Sequence, residues 1–147
     1  MVIRDLLSPA DALVDVQASD KSRLLKDLSA HAASALGLGS GVIASELLKR
    51  EALGSTGIGG GVAIPHARIA DLKKPFGILA HLKEPIEFNA IDDKRVDVVF
   101  VLLLPASPGP EQLNALACVA RKLRDPSAVL AVREATDSSA LFHAVAS

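Results

Sequence analysis

Residues Leu48 to Arg68 read LKREALGSTGIGGGVAIPHAR, and the changes of character along this stretch decide the fold. The first residues close an amphipathic segment that begins near Val42, with Val42, Ile43, Leu47 and Leu48 at helical spacing, so a helix is predicted over about 42–52. Gly54 to Gly61 then places five glycines in eight residues. Glycine is this dense where backbone must take φ > 0 or approach something closely, so a loop is predicted. Val62-Ala63-Ile64 follows as a short strand ending at Pro65-His66. A helix, a glycine loop and a strand in succession belong to an α/β architecture.

Outward from this stretch the same alternation continues. Upstream, Asp11 to Gln17 reads as a first short strand or an extended lead-in. Ser19-Asp20 starts a helix to about Leu36 with an apolar stripe of Leu24, Leu25, Leu28, Ala32 and Ala35. Gly37 and Gly39 stop it. Downstream, Phe76 to Leu82 is a strand, Pro85 to Phe88 a short extended piece and Ile91 to Lys94 a turn. Val96 to Leu104 is continuously apolar and rich in valine, as a strand buried on both faces must be. Ser107 to Pro110 is a loop with Pro110 poised at a helix start. Leu113, Leu116, Ala117, Ala120 and Leu123 keep helical spacing to about Arg124. Pro126 opens a short helix over 127–133, and Asp137 caps a last one over 138–145. The predicted fold is α/β, a small mixed β-sheet sandwiched between helices, as a single domain over residues 1–147.

Composition excludes several classes of function. Sixteen basic and seventeen acidic side chains leave no basic field for duplex nucleic acid, and four Phe with no Tyr or Trp offer no stacking platform for single strands. One cysteine, Cys118, cannot form an intrachain disulfide, and no Cys/His cluster has metal spacing. The start of the chain lacks a signal-peptide pattern and no apolar run is long enough to span a bilayer. A cytoplasmic protein that is not membrane-embedded is expected.

The glycine loop is neither a Walker loop, since no Gly-Lys-Ser/Thr follows, nor a dinucleotide fingerprint, since its spacing is wrong and it leads into a strand. Pro65-His66 is more informative. Proline restricts its own φ and the residue before it, so His66 leaves the strand at a defined angle beside a polar loop. A turn histidine without any role has the same local pattern. His31 in a helix, His81 in a strand and His143 in the terminal helix read as structural or surface histidines, and Cys118 as a small core residue.

The run Arg50-Glu51-x-Leu53-Gly54-Ser55-Thr56-Gly57-Ile58-Gly59-x-Gly61-Val62-Ala63-Ile64-Pro65-His66 resembles the IIA domain of the phosphoenolpyruvate-dependent phosphotransferase system. The likeness is to the fructose/mannitol type (type 2) and its nitrogen-regulatory branch. It continues through Leu6-Leu7-Ser8-Pro9, Pro85 to Asp92, Val96 to Pro105 and Leu113 to Leu123, and so covers essentially the whole chain. The resemblance implies that His66 accepts a phosphoryl group through Nε2 from a phosphorylated HPr-type carrier protein. It also implies that Arg50 stabilises that group, with Ser55, Thr56 and loop N–H groups as further phosphate donors, and that no metal or cofactor is needed. Regulated targets in relatives include potassium transporters and sensor kinases. The chain departs from the family pattern at Gly60, where Asn is common, at Ala67, where Gly is common, and at Gln112, where a second active-site histidine is usual. A glutamine can donate a hydrogen bond but cannot carry a positive charge. A regulatory phosphoryl carrier, a phosphotransferase-system component more than a free-standing turnover enzyme, is therefore expected. A sugar-uptake IIA component passing phosphate to a IIB domain and a binding module without phosphotransfer are the alternatives.

Overall fold

The computed structural model describes residues 1–107 and 109–146, apart from the side chain of Glu111. Pro108 of the predicted Ser107–Pro110 loop, and Ser147 at the end of the expected domain, lie outside the described residues. Two single 3-10 turns, Ile3–Asp5 and Pro9–Asp11, lead into β1 (Ala12–Val16), α1 (Lys21–Leu36) and α2 (Ser40–Leu53). Then come β2 (Gly57–Gly59), β3 (Val62–Ala63), β4 (His66–Ile69), β5 (Phe76–Ile86) and β6 (Val96–Pro105). The chain ends with α3 (Pro110–Leu123), α4 (Pro126–Glu134) and α5 (Ser138–Ala146).

The strands form one mixed sheet in the order β1-β5-β6-β3-β2, with β4 also on β6. β6 runs antiparallel to β5 and parallel to β3 and β4, while β1 is parallel to β5 and β2 antiparallel to β3. As its sequence requires, β6 is buried on both faces. Val98, Phe100, Leu102 and Leu104 join the core under α3, α4 and α5, and Val99, Val101 and Leu103 join the core under α1 and α2. The expected α/β sandwich is the fold observed.

The helix boundaries follow their capping chemistry. Asp20 accepts the Arg23 N–H at 2.8 Å to start α1, and Gly37 ends it in the left-handed region at φ 68°. Asp125 and Asp137 accept N–H groups of Ser127 and Ala140 at the starts of α4 and α5. Three expectations need correction. Gly57–Gly59 is a strand and not loop, because it pairs antiparallel with β3 through a turn in which Gly59, Gly60 and Gly61 all have positive φ. Residues 62–69 form one strand line on β6: Val62 faces Val98 and His66 faces Leu102 in the same register. His66 therefore begins β4 and does not end a strand. The line breaks in the middle because Pro65 has no N–H to give, and the Ile64 N–H goes instead to the Thr56 carbonyl at 3.0 Å. On α3 the buried stripe is Gln112, Ala115, Val119 and Leu123, so Leu113 and Ala117 face outward; on α2 Val42 and on α1 Ala35 are exposed.

Candidate phosphoryl site

A cavity of about 430 Å³ opens between the last turns of α2, the start of β4, the end of β6 and the first turns of α3. Arg50, His66 and Gln112, separated by up to 62 residues in sequence, all line it. Glu46, Lys49, Arg50 and Leu53 reach it together because residues spaced by three, four and seven share one helix face. Ala67 and Ile69 pack into the core beneath α1 and α2, so the alternation of β4 gives His66 and Arg68 the opposite positions, and both border the cavity. Leu53 and Leu113 stand 86% and 76% exposed at its rim.

The ring of His66 is half-buried, and its Nδ1 lies 2.9 Å from the Ile64 carbonyl oxygen. A carbonyl can only accept, so Nδ1 carries the hydrogen and the neutral ring keeps its lone pair on Nε2. The half-buried Arg50 donates from Nη1 to the Gly54 carbonyl at 2.8 Å, which braces the guanidinium at the end of its own helix and leaves the rest of its fork. Lys49 pairs with Glu46 at 3.3 Å. Arg68 is exposed and has no hydrogen-bond or ion-pair partner among the described residues. Lys49 and Arg68 were missed in the sequence. The spacing of Arg68, two residues after His66 on a strand, was the signal available for it.

Gln112 is buried, and its Nε2 donates at 2.5 Å to both the Pro105 and the Ser107 carbonyls. Both amide hydrogens, expected to be available to a phosphoryl oxygen, are thus engaged with backbone carbonyls. Ser55 and Thr56 do not line the cavity. The Ser55 hydroxyl donates to the Phe88 carbonyl at 2.6 Å, and the Thr56 hydroxyl and N–H both go to the Glu51 carboxylate, at 2.5 and 2.9 Å. The structure therefore does not bring these two expected phosphate donors to the cavity, and their donors are engaged in the fold.

The glycines of the loop have structural tasks. A Cβ on Gly57 would stand 2.6 Å from the Ala90 Cβ, and one on Gly61 would stand 2.5 Å from Arg133 Nη2. Arg133 binds Asp97 through two nitrogens and donates to the Gly60 carbonyl at 2.8 Å, and the adjoining Asp97 carboxylate raises its pKa. The Gly60 N–H donates to Asp92 at 3.0 Å and, with the Lys94 N–H, holds that carboxyl below its ordinary value. Away from the cavity, His31 Nε2 meets Asp11 at 2.8 Å, His81 Nε2 lies 3.8 Å from Asp97, and His143 Nδ1 meets the Ser139 carbonyl at 2.8 Å. Cys118 is partly buried. Among the described residues no group of three or more His, Cys, Asp or Glu could hold a metal ion, and no helix is long and apolar enough to cross a membrane.

Comparison with known proteins identifies the family and the fold. The family described as "Phosphoenolpyruvate-dependent sugar phosphotransferase system, EIIA 2" matches residues 5–147. A nitrogen regulatory protein of Bradyrhizobium diazoefficiens is 40% identical over 146 residues, covering 99% of this chain and 95% of its own length. One of Pseudomonas aeruginosa is 35% identical over 144 residues, covering 97% and 94%. The crystal structure of nitrogen regulatory protein IIA-Ntr from Neisseria meningitidis superposes with a TM-score of 0.91 at 30% identity, over 97% of this chain and 98% of that one. The chain belongs to the EIIA 2 family of the phosphoenolpyruvate-dependent phosphotransferase system, on its nitrogen-regulatory branch.

Proposed function

We propose that this protein is a regulatory phosphoryl carrier that takes a phosphoryl group on His66 Nε2 from a phosphorylated HPr-type protein. Its contacts with target proteins would then depend on whether the group is present. The observation that carries the reading is the hydrogen bond from His66 Nδ1 to the Ile64 carbonyl, at the edge of a cavity that Arg50 also lines. It leaves Nε2 as the nucleophile without any base having to remove a proton. As the Nε2–P bond forms, the N–P bond of the carrier breaks and its electron pair returns to the carrier's ring, while the Nδ1 hydrogen stays on the His66 ring, donated to the Ile64 carbonyl. The remaining donors of Arg50, with Lys49 and Arg68 nearby, supply charge to the transferring group. The exposed Leu53 and Leu113 offer an apolar rim for the carrier to dock on.

A regulatory role is favoured over a transport link by Gln112, a neutral residue whose donors are tied to backbone, and it agrees with the names of the relatives. The test is to mix the protein with the phosphorylated HPr-type carrier of its own genome and look for acid-labile, base-stable phosphate. His66→Ala should lose all labelling with little change in thermal stability. Undiminished labelling of that variant would sink the acceptor assignment.

A further inference from the structure

Glu51 is a buried carboxylate that the transfer chemistry does not use. Its Oε2 accepts from Lys21 Nζ at 3.0 Å and from the Thr56 N–H at 2.9 Å, and its Oε1 accepts from the Thr56 hydroxyl at 2.5 Å. Lys21 Nζ is itself held 4.8 Å over the Phe88 ring. A carboxylate out of water is costly unless its oxygens are filled, and here three donors fill them. The same threonine reaches the acceptor strand. Its carbonyl takes the Ile64 N–H at 3.0 Å, and the Ile64 carbonyl takes the His66 Nδ1 hydrogen at 2.9 Å. On the other side Glu51 follows Arg50 directly in the last turn of α2.

We propose that Glu51 is a positioning residue: through Thr56 it ties the helix end that carries Arg50 to the strand line that carries His66, and so sets the distance between guanidinium and imidazole. The proposal rests on His66 being the phosphoryl acceptor and Arg50 its partner. The tie is mechanical. The N–H and the C=O of Thr56 belong to successive peptide units, so no proton passes along it, and Glu51 with three donors on it is no general base. Small displacements of a positioned group cost large factors in rate. A brace of this kind therefore acts on the transfer step more than on docking of the carrier, which uses the exposed rim.

The test is a double-mutant cycle on single-turnover phosphoryl transfer, at several carrier concentrations, with nitrogen-15 NMR of the His66 ring at alkaline pH. Glu51→Ala should lower the maximal rate about tenfold and change the half-saturating carrier concentration less than about twofold. Glu51→Gln, which keeps both Thr56 contacts within reach, should recover most of the rate. In the Arg50→Ala background, Glu51→Ala should cost less than about twofold, because the distance it sets no longer matters. The NMR spectrum of Glu51→Ala should move from the pure Nδ1–H form towards a mixture of tautomers. A fully multiplicative double mutant, or a variant with wild-type rate and wild-type tautomer, overturns the proposal. If Glu51→Ala does not fold, Thr56→Val, which removes one of the bonds, takes its place with an expected loss of a few-fold. An unlabelled wild-type protein would instead refute the acceptor reading. The tautomer measurement needs no carrier and still decides the brace.

Discussion

The glycine loop at 54–61 and the cavity beside His66 are neighbours in the chain, and they use their polar groups in opposite ways. In the loop the Thr56 N–H and hydroxyl go to Glu51, the Gly60 N–H goes to Asp92, and the Gly60 carbonyl takes a guanidinium hydrogen of Arg133. Around the cavity the arrangement is less closed: Arg50 gives one bond to Gly54, Arg68 has no partner among the described residues, and His66 faces the space with one nitrogen already pinned. Groups satisfied within the fold hold the fold, and groups left with donors or lone pairs to offer are where a ligand enters. By that criterion the proposed chemistry falls to the residues flanking the loop, and the loop itself is scaffold.

The largest effect that would break this contrast is at Arg50. A charge-assisted hydrogen bond contributes about 1.5–3 kcal/mol, so Arg50→Ala should slow transfer from the carrier by roughly one to two orders of magnitude. Thermal stability should fall little, since only the bond to the Gly54 carbonyl is lost. Arg50→Lys should recover only part, because the planar fork is gone. Labelling of Arg50→Ala at the wild-type rate would make this residue a helix cap and nothing more.

The converse experiment is Gly57→Ala. The added methyl would meet the Ala90 Cβ at 2.6 Å, against a neighbour with no flexible end to swing away. Overpacking of this kind costs about 1–3 kcal/mol of stability. Whatever protein remains folded should be labelled near the wild-type rate, as Gly57 does not line the cavity. A stable but unlabelled Gly57→Ala would mean that the loop takes part in the chemistry. Arg68→Ala should be milder. This side chain is exposed, so its contribution is of the order of 0.2–1 kcal/mol, a few-fold in rate, and it should disappear at high salt. Equal losses at low and high salt would point to a direct contact of Arg68 with the phosphoryl group.

Much of this contrast was legible in the sequence, and the part that was not has a physical reason. The continuous apolar run of β6, the helix starts at Asp20, Pro126 and Asp137, and the α/β alternation are local signals, and the structure follows them. Glycine density was a true signal of close approach and positive φ, but it could not say what was being approached, which is Ala90 and Arg133 and no ligand. Ser55 and Thr56 look like phosphate donors in sequence because their hydroxyls are visible and Glu51 and Phe88, which take them, are not visibly near. Leu113 reads as core by helical spacing, but its face of α3 borders the cavity and stays in solvent. Only the tertiary arrangement shows that Gln112, an apparently free polar residue, is buried with both amide hydrogens occupied.

That occupancy gives the smallest and most discriminating prediction. Gln112 supplies two donors to the carbonyls of Pro105 and Ser107, and a neutral imidazole at the same place supplies one. Gln112→His should therefore cost about 0.5–1.5 kcal/mol of stability for the carbonyl left unpaired. The gain would lie elsewhere. When a phosphoryl group leaves His66 for a second protein, negative charge crosses the interface, and a histidine able to become cationic stabilises it where an amide held by backbone cannot. Acceptance from the carrier should change less than about twofold, because Arg50 and the Nε2 lone pair of His66 are untouched, while donation to a sugar-type IIB domain should rise several-fold. The two single-turnover rates, carrier to protein and protein to IIB domain, are measured for both variants. Rapid donation by the wild-type protein would make the occupied amide irrelevant to transfer and turn the regulatory assignment into a transport one. Slow donation that Gln112→His relieves would locate the regulatory character of this chain in a single side chain whose hydrogens are engaged in holding a turn.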